Sequence, residues 1–300
     1  MPSGMPHRFH IVDVFAEERY AGNPLAVVRD AADLDTATMQ RVALEFGFSE
    51  TTFVVSDPRA SEPGVRVRIF TPAEELPFAG HPTLGTAWVI REHLAAGHPA
   101  AVPLALGVGR VPVAFEAEGE HEVAWLEAPP IRLGKTIEPA RIAPALGLSS
   151  ADVAADLPVQ HVSAGVEFVL VPLASRAAVA KARLAPSAFG PLATEGFPTA
   201  LYWFAREAET RGHELCARMQ WFASADAARA VREDPATGSA TACLGAYLIA
   251  HRGADVALRI AQGVEMGRLS LLRLEARAGA GGPAIRVGGR VVEVARGELL

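Results

Sequence analysis

Wound as a helix, the segment GSATACLGAYLIAH, residues 238–251, is apolar almost all the way round until His251. Such a helix has no face to offer water and belongs inside the protein. A second helical candidate, GHPTLGTAWVIREHLA at 80–95, is flanked like the first by strand-like segments. The economical solution is a sheet wrapped around each helix, repeated twice. Both helices open on Gly-x-x-Thr, from Gly80 to Thr83 and from Gly238 to Thr241. Gly85 and Ala87 follow in the first and Gly245 and Ala246 in the second, a weak internal repeat. At 300 residues the chain has the length for two cores. EAPP at 127–130 breaks the pattern between them and is the linker candidate.

The flanking segments read as strands. HRFHIVDVFA, from His7, is nearly continuous in apolar and β-branched residues, as a central strand buried on both faces would be. After the AGNP turn at 21–24, LAVV resumes a strand. Asp35 then caps an amphipathic helix carrying Met39, Val42, Ala43 and Phe46, which ends near Gly47. Thr51 to Val55 reads as a strand, and Val65, Val67 and Ile69 alternate with Arg66 and Arg68 in another with one wet face. IRVGGRVVEV at 285–294 predicts a hairpin with its turn at Gly288-Gly289.

Charge and composition exclude several classes. A net charge of −6 without any compensating Lys/Arg run leaves no footprint for a phosphate backbone, so nucleic acid is not an expected partner. MPSGMPHRFH lacks the apolar stretch of a signal peptide. The apolar runs fall short of the roughly 18–20 residues of a membrane span, so the expectation is a soluble, cytoplasmic protein with no membrane partner. Cys216 and Cys243 are too few for a disulfide framework and are not spaced as CxxC, which leaves them as reduced, buried thiols.

Chemistry is expected at two helix starts and one acid. In FTPAEELPFAGHPTLG, residues 70–85, the amides of Gly80 and His81 can face an anion with the helix dipole behind them. EDPATGSAT, residues 233–241, repeats the arrangement with Gly238 and Ser239, and the pair could hold a small carboxylate between domains. Plain caps and turns are the competing reading. No Lys-Ser/Thr follows the second glycine, and GVGR at 107–110 lacks the glycines of a dinucleotide fingerprint, so no nucleotide cofactor is expected. His81 has no paired ligand spacing, so no metal is expected either. Glu50, in FSETTFV, lies between a helix and a strand of Thr and Phe, where an acid is costly without partners or a task. Partial desolvation would lift its proton affinity toward neutrality, which suits a group that takes and returns a proton. A solvated glutamate at a strand start is the competing reading.

In order along the chain, DVFAEERYAGNPLAVV, LEFGFSETTFV, RIFTPAEELPFAGHPTLGTA, EDPATGSATA and QGVEMGR resemble the PhzF family of phenazine-biosynthesis-type isomerases, relatives of diaminopimelate epimerase. The resemblance implies an α+β fold of two similar domains, each a curved, mostly antiparallel sheet around a central helix, with the active site in the interdomain cleft. The first domain would be residues 1–126 completed by the C-terminal strand, about 290–300, and the second 127–289. It further implies a homodimer and a cofactor-independent isomerase of a small, carboxylated, conjugated substrate. In that reading Glu50 is the acid/base, His81 and Asp234 hold the substrate's polar groups, Gly80, Gly238 and Ser239 lie on the carboxylate cradles, and Asn23 shapes the cleft.

The epimerase relatives invert a carbon with two thiols, whose positions fall near Ala79 and Pro235. Both thiols are missing, which disfavours a two-thiol racemase and leaves a single carboxyl moving a proton between carbons on one face. A small-acid binding or regulatory protein without catalysis, and a racemase or lyase acting on a related acid, remain the alternatives. The resemblance conveys the chemistry and not the molecule.

Overall fold

The structure, a computed structural model, describes residues 6–56, 64–206, 212–222, 231–279 and 281–300. Its internal contacts divide the chain into two compact units, Met1–Leu126 with Gly288–Leu300, and Glu127–Val287.

The first unit contains β1 (His7–Val14), β2 (Asn23–Val28), α1 (Thr36–Phe46), β3 (Thr51–Val54), β4 (Val65–Phe70), the short β5 (Glu75–Leu76), α2 (Gly80–His93), β6 (Ala101–Leu106), β7 (Gly109–Glu118) and β8 (His121–Glu127). The closing strand of the chain, Val291–Leu299, returns to pair antiparallel with β1. From there the sheet runs β1 to β2 antiparallel, β2 to β3 parallel, β3 to β4 antiparallel, β4 to β6 parallel, then β7 and β8 antiparallel. Helix α2 touches β1, β2, β3, β6, β7 and the closing strand, so the sheet curls around it. Small helix residues permit that approach: a Cβ on Gly85 would lie 2.7 Å from Leu25 Cδ2 and 2.8 Å from Val14 Cγ2. Outside, α1 sets Met39 and Ala43 against Phe53 and Phe70. Its start and stop are those read from the sequence, since Asp35 accepts from the Thr38 amide at 2.7 Å and Gly47 turns left-handed at φ 66°.

The second unit repeats the plan. Its elements are β9 (Arg132–Ile137), α3 (Pro139–Ile142), β10 (Val159–Ser163), β11 (Glu167–Pro172), α4 (Arg176–Lys181), α5 (Pro186–Thr194), β12 (Ala200–Arg206), β13 (Leu215–Trp221), β14 (Arg232–Asp234), α6 (Gly238–Arg252), β15 (Val256–Gln262), β16 (Ser270–Arg277) and β17 (Ala284–Gly289). The order β9, β10, β11, β12, β13, β15, β16 runs antiparallel, antiparallel, parallel, antiparallel, parallel, antiparallel, the same succession as from the closing strand to β7. In each unit a short strand, β5 or β14, precedes the central helix. Here α6 packs on β10, β11, β15 and β16, and α3, α4 and α5 cover a separate cluster around Trp203 and Phe189. In each unit a buried helix hydroxyl, at a different helix position, bonds to the sheet: Thr86 lies 2.7 Å from Thr52 of β3 and Thr241 3.4 Å from the Tyr202 hydroxyl of β12. Such pairs answer the requirement that buried polar groups be bonded.

Two expectations are corrected. Thr83 and Thr241 are equivalent, each donating its amide to the N-cap carbonyl, of Ala79 and Thr237. The glycines after them are not. Gly85 stands where α6 has Cys243, and Gly245 where α2 has Ala87, because each glycine answers its own neighbours; a Cβ on Gly245 would meet Leu274 Cδ1 at 2.9 Å. Nor is Gly288-Gly289 a hairpin turn. Both residues lie inside β17, and the break falls at Arg290. Their lack of a side chain admits aromatic rings instead, since a Cβ would sit 2.6 Å from the Trp125 ring at Gly288 and 2.3 Å from Phe15 Cδ1 at Gly289. Among the described residues no helix is long and apolar enough to cross a membrane.

Candidate active site

The first unit gathers Glu50, His81 and Asn23. Glu50 is the last residue before β3, whose Thr51 and Thr52 are fully buried, so the strand fixes its backbone and its side chain is 17% exposed. His81 is the second residue of α2, and its Nε2 lies 3.4 Å from Glu50 Oε2. That is slightly longer than a usual N–H···O bond. On the other edge of the ring, His81 Nδ1 is 3.3 Å from the side-chain nitrogen of the buried Asn23, the first residue of β2.

Burial pushes the His81 imidazole from an ordinary 6.5 down to about 3. The ring is therefore neutral near pH 7, and its approach to Glu50 is not an ion pair. Asn23 Nδ2–H donates to Nδ1, which leaves the ring proton on Nε2, the nitrogen nearer Glu50, although no hydrogen bond closes between His81 Nε2 and Glu50 Oε2 in this conformation. The arrangement holds Glu50 beside a neutral donor and can support transfer of a proton to and from a bound carbon acid.

Gly80 opens α2 behind Ala79, whose side chain cannot cap, and Pro82 has no N–H. The first turn thus presents the amides of Gly80 and His81, while the Thr83 hydroxyl turns back onto Ala79 O at 2.7 Å.

The second unit places Asp234 at the end of β14, opposite Met219 of β13. Its Oδ2 accepts the Thr237 hydroxyl at 2.7 Å, so Thr237, the N-cap of α6, does not cap the helix with its own side chain. The amides of Gly238 and Ser239 follow at that helix start. Gln262 secures this loop: its Nε2 donates to Asp234 O at 2.8 Å and to Thr237 Oγ1 at 2.9 Å, and its Oε1 accepts the Thr237 amide at 3.2 Å. Gln262 is a positioning residue that the sequence reading missed, having quoted it only within QGVEMGR. The signal was the following glycine, for Gly263 turns at φ 75° where a Cβ would stand 2.3 Å from Arg268 O and 2.8 Å from Pro235 O.

Next to Asp234, Glu233 forms a bidentate pair with buried Arg218, at 2.8 and 2.7 Å, and accepts Gln220 Nε2 at 2.6 Å. Burial raises the Glu233 carboxyl, but the bonds from Arg218 and Gln220 outweigh it and hold the group below the usual carboxylate range. Arg218 Nη1 also donates to Val179, Ala180 and Ala182 carbonyls, tying β13 to the end of α4. Cys216 and Cys243 are both buried, and burial pushes the Cys243 thiol up to about 12. Ala79 is the N-cap of α2 and Pro235 directly follows β14, so neither position carries a thiol.

The family described as "Phenazine biosynthesis-like protein" (PhzC-PhzF) matches residues 12–297. An uncharacterized isomerase of Mesorhizobium japonicum is 38% identical over 96% of this chain and 97% of its own. The trans-2,3-dihydro-3-hydroxyanthranilate isomerase of Pseudomonas aeruginosa is 36% identical over 97% of this chain and 98% of its own. The crystal structure of a Bacillus anthracis phenazine biosynthesis protein of the PhzF family superposes with a TM-score of 0.87 over 99% of this chain and all of that one, at 24% identity, a likeness of fold.

Proposed function

Because this chain belongs to the phenazine biosynthesis-like PhzC-PhzF family and is an isomerase, we propose that it shifts a proton on a small, carboxylated, conjugated acid without a cofactor, with Glu50 as the one acid/base. The observation that carries this reading is the 3.4 Å approach of His81 Nε2 to Glu50 Oε2, with the imidazole neutral and its far nitrogen engaged by Asn23. Ionised Glu50 takes a proton from a carbon made acidic by the conjugated system, whose electron pair delocalises toward an electron-withdrawing group. The protonated carboxyl then returns the proton to a different carbon on the same face, so carboxylate, charge and atoms are all restored. His81 Nε2–H steadies the carboxylate between the steps.

Substrate binding in this reading falls to Gly80 and to the second unit. Asp234 accepts from an amino or hydroxyl group, and the amides of Gly238 and Ser239 donate to a carboxylate. The compound named for the Pseudomonas aeruginosa relative is a ring acid of this chemical class and is the first to try. The test follows turnover by proton NMR in deuterated water, for that compound and a panel of small conjugated acids. Glu50→Gln should lower kcat by on the order of a thousandfold with folding retained. Turnover in Glu50→Gln at the wild-type rate would sink the mechanism.

A further inference from the structure

We propose that His10, His93 and Glu293 form a site for one divalent metal ion of the zinc class in the first unit, at the opposite end of α2 from His81. One donor atom from each residue lies within 4.8 Å of the others. The three come from β1, the last residue of α2 and the closing strand. A single carboxylate oxygen, Glu293 Oε1, faces both rings, 2.8 Å from His10 Nδ1 and 3.2 Å from His93 Nε2. Donors bound at about 2.0–2.1 Å to a tetrahedral ion stand about 3.3 Å apart, so small outward shifts would admit the metal. His93 Nε2 is buried and, despite its closeness to Glu293, makes no hydrogen bond among the described residues.

Surrounding groups hold the cluster together, and one ring must turn out of the stack for both in-plane lone pairs to converge on an ion. His10 and His93 stack at 4.4 Å between centroids with planes 19° apart, and Trp88 meets His93 edge-on at 5.9 Å. Arg19 Nε donates to the main-chain oxygen of Glu293 at 2.9 Å, fixing that strand position. Arg296 approaches the other carboxylate oxygen, Oε2, at 3.4 Å with a side chain 70% exposed, which leaves Oε1 to the imidazoles. Two imidazoles and a carboxylate are the donors of open three-ligand zinc sites, with water in the fourth position. His93 and Glu293 retain 22% and 20% side-chain exposure, so the cluster lies close to the surface. The negative end of the α2 dipole adds to the attraction for a cation. The ion would clip the first strand, the central helix and the closing strand together, remote along α2 from the Glu50 chemistry.

The test uses full-length protein stripped with a chelator, titrated with Co(II) while visible d–d absorption is followed, and assayed for retained zinc after gel filtration. Wild type should bind one ion per chain with the intense absorption of a tetrahedral site. His93→Ala and the isosteric Glu293→Gln should each weaken binding by at least roughly tenfold while unfolding cooperatively. Zinc should raise the melting temperature of wild type and leave that of Glu293→Gln unchanged. No absorption and no retained zinc in the wild type, or wild-type affinity in both variants, would overturn the proposal. Neither readout depends on turnover, so the outcome is separate from that of the Glu50 mechanism.

Discussion

Asn23 Nδ2 stands 3.3 Å from His81 Nδ1, and this buried contact sets which nitrogen of the ring carries the proton. Replacing the amide by a similarly sized apolar side chain, Asn23→Leu, frees the ring to place its proton on Nδ1. A lone pair, rather than N–H, would then face Glu50. We expect kcat to fall by on the order of 10- to 100-fold with KM little changed. Steady-state kinetics on a substrate from the acid screen would check it, and an unaltered kcat would remove Asn23 from the machinery.

His81 also makes stability depend on pH. Its folded value, about 3, lies below the ordinary 6.5 expected of the unfolded chain, so between these limits the unfolded state binds the extra proton. The contribution is fully present above pH 6.5 and is lost as pH falls toward 3, at up to about 1.4 kcal/mol per pH unit. Between pH 6.5 and 5 wild type should therefore lose up to about 2 kcal/mol more than His81→Gln, in which this titration is absent. Urea unfolding of both proteins at the two pH values supplies the difference, and parallel pH dependences would contradict the neutral, buried imidazole.

Arg218 and Glu233 hold the floor beneath Asp234, and their removal should be felt both in folding and in binding. Arg218→Met leaves Glu233 buried without its main partner and strips donors from three carbonyls at the end of α4. A loss of about 3–5 kcal/mol is expected, read as a lower urea midpoint. Glu233→Gln keeps an acceptor for Arg218 and should cost less, about 1–3 kcal/mol. If Glu233→Gln unfolds at the wild-type midpoint, the charge of Glu233 has no part in the stabilisation.

Much of this architecture could be read from the chain because local signals and global packing agree. Gly238 to Ile249 is apolar on almost every side, so only enclosure satisfies it, and Asp35 and Gly47 mark the ends of α1 with side-chain and backbone chemistry that needs no tertiary partner. The parallel pairs β2 to β3 and β4 to β6 join segments separated by a helix, α1 or α2, and carry no local signature. Gly288 and Gly289 misled for a related reason: two glycines look like a turn until Trp125 and Phe15 are seen against them. At the site, Glu50 was an ordinary acid on spacing alone and came forward through the family motif. The tautomer of His81, the grip of Gln262 on Asp234 and the His10–His93–Glu293 cluster arise from residues distant in sequence, and no periodicity could have foretold them.

The loop carrying Asp234 is closed from the other side by Gly263, and here a single methyl group should discriminate packing from backbone strain. Gly263 and Gly253 share nearly the same left-handed backbone, φ 75° and 67°. A Cβ on Gly253 meets nothing within 4 Å, so Gly253→Ala pays only the conformational penalty, roughly 1–2 kcal/mol. A Cβ on Gly263 would stand 2.3 Å from Arg268 O and 2.8 Å from Pro235 O, both main-chain atoms that cannot rotate aside. Gly263→Ala must push the Gln262 turn off the Asp234–Thr237 loop, lengthening the hydrogen bonds now at 2.8 and 2.9 Å. We expect it to lose at least about 2 kcal/mol more than Gly253→Ala and to weaken substrate binding, while Gly253→Ala binds as wild type. Equal losses in urea unfolding, with KM unchanged in both, would show that Gln262 does not hold Asp234 in place.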